Sequence, residues 1–134
     1  MAPETMDFLL KFGVNPKHKG FDYIGEMIES VVTDAGVSRI HVTKDLYPKL
    51  AEKHDVSVFQ IERATRIAIK STFDKLDPEF TAKYFGNVVN LKDGEVPTNA
   101  TFIAVMARHL YRESFIKDAK IREDENHARS RYSY

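Results

Sequence analysis

The sequence predicts an all-α domain of about six helices. Apolar residues recur at the three- and four-residue spacing of helix faces, glycines and prolines stand where such runs stop, and one segment opens with a helix-capping signature. A length of 134 residues, with 43% hydrophobic and 30% charged residues, suits one globular domain with its own core. The one candidate for β-structure is a small hairpin near 87–96, for which an irregular loop is the alternative.

Three helices are predicted in the first part of the chain. After a loose start at residues 1–5, an apolar turn of helix covers 6–12 and ends at Gly13. A helix over about 20–33 follows. A short helix covers 48–54, because Pro48 is tolerated only in a first helical turn, and 40–47 form a separate turn or kinked lead-in. The expected buried residues are Phe21, Ile24, Met27, Ile28, Val31, Leu46, Tyr47, Leu50 and Ala51.

The helix over about 57–75 has two distinct faces. Ser57 is its candidate N-cap, and Gln60 completes a capping box. With Val58 at 0° and about 100° per residue, an arc suited to packing spans about 240° to 20°, and a second stripe spans about 80° to 140°. The packing arc comprises Ile61, Ala64, Thr65, Ala68, Ile69 and Thr72, and its two alanines permit close approach of another helix. The stripe comprises Phe59, Arg63, Arg66 and Lys70, with Glu62 on its near flank and Gln60 and Ile67 just beyond it.

Two further helices complete the prediction. One starts after Asp77-Pro78 and ends at Gly86, and the other is capped by Thr98 or Asn99. We expect a domain at 6–116, followed by a polar, partly disordered extension at 117–134. The closing helix is expected to line one face with Phe102, Ile103, Met106, Leu110 and Phe115.

A short helix, a brief turn and a longer helix with an arginine stripe are typical of a helix-turn-helix, whose second helix enters the major groove of DNA. Arginine donates two hydrogen bonds to guanine, and glutamate accepts from cytosine. Ser57 at the helix N-terminus suits a backbone phosphate. A solvated face is the alternative, because Glu62 and Arg66 also form an ordinary i, i+4 pair. Residues 39–75 hold eight Lys/Arg against five Asp/Glu, which is only weakly basic.

Other kinds of site find little support in the sequence. Cysteine is absent, which excludes disulfides and thiolate sites, and twenty basic residues balance twenty acidic ones. The five histidines show no ligand spacing and are interpreted as lone surface residues, with a phosphate contact as a minor option at His41 and His54. No apolar run reaches the length of a membrane span. We therefore predict no enzyme, metal, cofactor, small-molecule substrate or membrane partner.

The segment VTKDLYPKLAEKHDVSVFQIERATRIAI resembles the helix-turn-helix in the effector domain of the master response regulator of sporulation initiation in spore-forming Firmicutes. GVNPKHKGFDYIGEMI resembles that family's opening helix, and YFGNVVNLKDGEVPTNATFIAVMARHL resembles its closing segment. The resemblance covers about residues 8–113, with several clusters in the same order.

The resemblance implies a six-helix DNA-binding domain, unrelated to winged helices, in a cytoplasmic transcription regulator. Such a domain reads a short asymmetric box on double-stranded DNA and pairs with a second copy on tandem boxes. Carried across by position, Glu62, Arg63 and Arg66 read bases, and Lys44 matches a lysine early in the motif. The closing helix at 98–113 matches the pairing region.

Four departures from the family pattern leave a second hypothesis open. Phe59 and Gln60 replace a small hydroxyl residue and an arginine, Ile67 replaces a histidine, and Lys70 replaces an acidic residue. Phe59 and Ile67 suit thymine methyl groups or a protein-binding patch. The alternative is thus an interaction module that pairs with and modulates a related regulator without binding DNA. Five residues before the matched region leave no room for a receiver domain, so we expect an excised effector domain or a stand-alone paralogue.

Overall fold

The computed structural model is all-helical in the residues that it describes, 1–33, 41–86 and 95–132, and most side chains after residue 114 lie outside this description. Within these ranges six α-helices follow one another, which confirms the predicted class. They are α1 (Pro3–Phe12), α2 (Lys19–Thr33), α3 (Tyr47–His54), α4 (Val58–Lys75), α5 (Pro78–Phe85) and α6 (Asn99–Tyr132), with a π-helical turn at Val42–Leu46. The suggested hairpin falls mainly on 87–94, outside the described residues.

Helix α2 lies at the centre of the domain. It packs against α1, α4 and α6, while α3 packs against α4. Gly20 allows α2 to approach α4 closely, because a Cβ there would overlap the backbone carbonyl oxygen of Ala64 and lie 2.8 Å from the Ala68 Cβ. The predicted role of the two alanines in a close helix contact is therefore confirmed. The largest fully buried side chains are Phe12, Phe85, Phe102, Leu9, Ile24, Met27, Ile28, Ile61, Ile69, Ile103, Met106 and Val14.

An aromatic cluster closes one end of this core. Phe12 of α1 is its centre, with the other ring centroids 4.9–6.2 Å away. The edge-to-face pairs in the cluster add to the free energy of burial by roughly 0.5–1.5 kcal/mol each. The cluster thereby anchors α5 and the end of α4 against α1 and α6. Its other members are Phe73, Phe80, Tyr84, Phe85 and Phe102.

The first helix is longer than predicted. It begins at Pro3 rather than near residue 6, because proline suits the first helical turn and Ala2 before it is extended. The Ala2 N–H donates to Glu29 Oε1 of α2 at 2.6 Å, which ties this start to the fold. Gly13 ends the helix as predicted, in the left-handed region at φ 112°.

The last helix is also longer than predicted. Its backbone is helical to Tyr132 and so continues through most of the polar extension expected at 117–134, whose partial disorder stays a prediction. No glycine or proline follows Pro97, and the polar segment is rich in Lys, Arg, Glu and Ala, which are good helix formers. The division of the chain at residue 116 stays a prediction. Phe102, Ile103, Met106 and Leu110 are buried as predicted.

Candidate nucleic-acid interface

Helices α3 and α4 form a helix-turn-helix joined by residues 55–57. Pro48 lies in the first turn of α3, and the separate turn before it is the π-helical one, both as predicted. Asp55 ends α3 in the left-handed region at φ 54°, which aspartate tolerates better than most residues. The Val56 N–H then bonds to the Ala51 carbonyl at 3.0 Å. These local bonds set the sharp reversal between the two helices.

The N-terminus of α4 carries the predicted capping box. The Gln60 N–H donates to Ser57 Oγ at 3.1 Å, and the Ser57 N–H donates to Gln60 Oε1 at 2.8 Å. Both side chains therefore serve the cap. Ser57 Oγ–H and the Gln60 amide N–H groups remain as donors, so both residues can still contact a phosphate or a base edge.

The packing face of α4 is buried as predicted. Ile61, Ala68 and Ile69 are fully buried, and Thr65 and Thr72 lie beside them. The Thr72 hydroxyl donates to the Ala68 carbonyl at 2.7 Å. This face fixes α4 against α2 and α3, and it leaves the opposite side of the helix uncovered.

The opposite face of α4 is exposed and mixed in character. Phe59 is 65% exposed and Ile67 48% exposed, although both are large apolar residues. Exposed charged residues on the same side are Glu62, Arg63 and Lys70. Lys44 is exposed too, but on the π-helical turn before α3. Five of the sequence-predicted site residues thus share one solvent-facing side of α4.

Arg66 differs from the other stripe residues. Its side chain is half-buried, and Nη1 donates to the Pro97 carbonyl oxygen at 2.6 Å. Pro97 is buried and lies just before α6. The periodicity of α4 could not show this contact, because the partner lies 31 residues further along the chain.

Asn99 is a residue that the sequence reasoning missed as part of this region. Its buried Nδ2 donates to the Tyr47 hydroxyl at 3.0 Å and to the Glu62 carbonyl at 3.2 Å. Burial raises the pKa of Tyr47, against the opposing hydrogen bond from Asn99. The N-cap itself is Thr98, whose Oγ1 accepts from the Thr101 N–H at 3.1 Å. Because Thr98 is the cap, only one sequence signal could have indicated a buried role for Asn99. It is a polar residue at the start of an otherwise apolar helix face.

A polar tie holds the end of α3 against α2. Glu26 Oε2 lies 2.8 Å from His54 Nε2, and Glu26 Oε1 accepts from Lys53 Nζ at 3.0 Å. Burial alone would raise the pKa of Glu26, but the hydrogen bonds from His54 and Lys53 outweigh it and lower that pKa. The His109 ring is likewise engaged, with Nε2 2.7 Å from the Tyr84 carbonyl. These two histidines are therefore not the lone surface residues that the sequence suggested.

In the part of the chain that the structure describes, no group of three His, Cys, Asp or Glu side chains is placed to hold a metal ion. Nor does any helix there combine the length and apolar character needed to cross a membrane.

The sequence was compared with models of known protein families. It matches the family described as sporulation initiation factor Spo0A C terminal over residues 5–110. The matched range includes the whole helix-turn-helix and the buried start of α6. This is a family of DNA-binding regulatory domains, not of enzymes. The chain belongs to the Spo0A C-terminal domain family.

Proposed function

We propose that this chain is a sequence-specific DNA-binding transcription regulator that inserts α4 into the major groove of double-stranded DNA. The observation that carries the proposal is the uncovered face of α4, with Glu62, Arg63 and Lys70 exposed in the helix-turn-helix of a DNA-binding family. Because the other face of α4 is buried in the core, the domain would present this helix to DNA as a rigid element.

Each of the site residues on α4 has a complementary partner on DNA. Arg63 and Arg66 would donate to guanine O6 and N7, and Glu62 would accept from cytosine N4 or orient Arg66. Phe59 and Ile67 would contact thymine methyl groups. The remaining proposed contacts, mainly with the phosphate backbone, involve Lys44, Ser57, Gln60 and Lys70.

The test of base reading is the Arg63→Ala variant. Arg63 is exposed, so the variant should fold normally, bind the preferred duplex about 1–3 kcal/mol more weakly and lose discrimination at one base pair. Fluorescence anisotropy at fixed salt measures both effects. Lys75→Ala is the control, because it removes one positive charge from the far end of the same helix. Wild-type affinity in Arg63→Ala would rule out the assigned role.

The proposal also includes pairing and location. Two copies would pair on tandem boxes through the 98–113 part of α6, in the cytoplasm where the bacterial chromosome lies. The exposed face of α6 there includes Tyr111, which is 49% exposed. Sedimentation of the protein on duplexes with one or two boxes tests the pairing, and independent binding to the two boxes would contradict it.

A second candidate function rests on the exposed apolar residues of α4. Phe59 and Ile67 give this face more apolar character than groove binding requires, which suits an interaction module that pairs with a related regulator and modulates it. Phe59→Ala separates the two candidates, since removal of an exposed ring should leave stability unchanged. For a DNA reader the variant loses about 1 kcal/mol of DNA affinity. For an interaction module it instead loses binding to a full-length response regulator of the family, and the wild type selects no DNA sequence.

A further inference from the structure

Two hydrogen bonds join the start of α6 to a single turn of α4, and a third joins it to α3. Asn99 Nδ2 donates to the Glu62 carbonyl, and the Pro97 carbonyl accepts from Arg66 Nη1. Asn99 Nδ2 also donates to the Tyr47 hydroxyl, which belongs to α3. The segment 97–99 is therefore hydrogen-bonded to both helices of the helix-turn-helix. The turn of α4 to which it is bonded contains Glu62, Arg63 and Arg66.

The orientation of the Asn99 amide is fixed by its partners. The Glu62 carbonyl can only accept a hydrogen bond, so the nitrogen of the amide must face it. That nitrogen has two N–H groups, one for the Glu62 carbonyl and one for the Tyr47 hydroxyl. Asn99 is only 8% exposed, so water does not readily replace these bonds. The amide thereby fixes the distance and rotation of α4 relative to α6.

The bond to Pro97 leaves part of Arg66 free for another partner. A guanidinium has five N–H donors in a planar fork, and Nη1 serves the Pro97 carbonyl. The Nε and Nη2 groups form a second edge that matches two acceptors side by side, as on guanine. A carbonyl that holds one edge of the plane limits the rotation of the other. The contact thus orients Arg66 without using up its capacity to bind.

We propose that Asn99 is a positioning residue for DNA reading, which acts with the Pro97 carbonyl to set the orientation of Arg66 and of the α4 turn that contains it. This role rests on the proposed function of α4. It predicts that loss of the Asn99 amide reduces the discrimination between DNA bases by more than a general loss of protein stability would.

The test compares Asn99→Leu with Thr98→Ala. Leucine has the same number and branching of side-chain heavy atoms as asparagine but donates no hydrogen bond. Thr98→Ala removes the N-cap of the same helix, and no hydrogen bond joins the Thr98 side chain to α4 in the described residues. Both variants should lower the unfolding temperature. Their DNA binding is measured at fixed salt on the preferred duplex and on one with the guanine opposite Arg66 changed.

We expect Asn99→Leu to lose about tenfold in the affinity ratio between these two duplexes, and Thr98→Ala to lose less than about twofold. An unchanged ratio in Asn99→Leu would overturn the role. Equal losses in the two variants would overturn it too, since helix stability would then account for the effect.

If the Asn99→Leu variant does not fold, a second measurement on the wild type tests the same role. In the wild type, the Asn99 side-chain amide protons should exchange slowly with solvent, by NMR, in both the free and the DNA-bound protein. Exchange at the rate of a free amide in the bound protein would overturn the role. A wild type that makes no distinction between the duplexes, while its Asn99 protons remain protected, would refute the proposed function and leave the contact itself intact.

Discussion

The two faces of α4 each contain an isoleucine, in opposite environments. Ile69 is fully buried, whereas Ile67, two positions earlier, is 48% exposed. Thr65 and Ala68 face the core, while Arg63 and Lys70 face solvent. The position on the helix, rather than the hydrophobicity of a residue, decides whether its side chain packs in the core or stays exposed to solvent. Phe59 and Ile67 are the clearest cases, because apolar side chains on the exposed face gain nothing from core packing.

The largest difference in stability between the two faces should be seen when their isoleucines are replaced by alanine. Ile69→Ala leaves a cavity between α4 and its neighbours and should reduce the free energy of unfolding by about 3 kcal/mol. Ile67→Ala, the matched variant on the exposed face, should change it by less than about 0.5 kcal/mol. Urea unfolding followed by circular dichroism measures both values. Similar losses in the two variants would show that the faces are not distinct.

A somewhat smaller effect on stability should come from Gly20, where α2 closely approaches the packing face of α4. Gly20→Ala should destabilise the domain by about 2 kcal/mol, because the new Cβ meets the backbone of Ala64. Gly25→Ala in the same helix is the control. The atoms nearest to its Cβ would belong to the exposed, flexible side chain of Met1, so the better helix propensity of alanine should leave the stability equal or higher. If Gly20→Ala were as stable as the wild type, α2 and α4 could not be as close as described.

The smallest effect concerns the polar tie between α2 and α3. The pKa of Glu26 is lowered in the folded protein, so its contribution is fully present above the ordinary value of 4.5 and is lost as the pH falls through the folded value. Glu26→Gln should therefore cost about 1 kcal/mol near neutral pH, and the difference from wild type should shrink below pH 4.5. Unfolding curves from pH 7 to pH 3 measure the trend. A difference that stayed constant over this range would refute the assigned role of the carboxylate.

Much of the fold follows from signals within one or two helical turns. The spacing of Ile61, Ala68 and Ile69 predicted the packing face of α4, and Ser57 with Gln60 predicted its capped start. These features depend on residues close in sequence, so periodicity and capping rules reach them. The same helical periodicity also predicted the exposed side of α4 that contains Arg63 and Lys70.

The contacts between distant segments could not be predicted from the sequence. Arg66 and Pro97 are 31 residues apart, and Asn99 and Tyr47 are 52 residues apart. No local pattern encodes such a pair, because the fold of the whole domain brings the two residues together. The length of α6 was missed for a different reason. A polar composition near a chain end predicts fraying, although charged residues and alanine are also good helix formers.

The central claim is that the exposed face of α4 reads DNA, and an unbiased DNA selection tests it most directly. The wild-type protein is mixed with duplexes of random sequence at moderate salt, and the bound fraction is sequenced over several rounds. We predict enrichment of a short defined box, and loss of preference at one of its guanines when the selection is repeated with Arg63→Ala. Recovery of no preferred sequence by the folded wild type would contradict the claim.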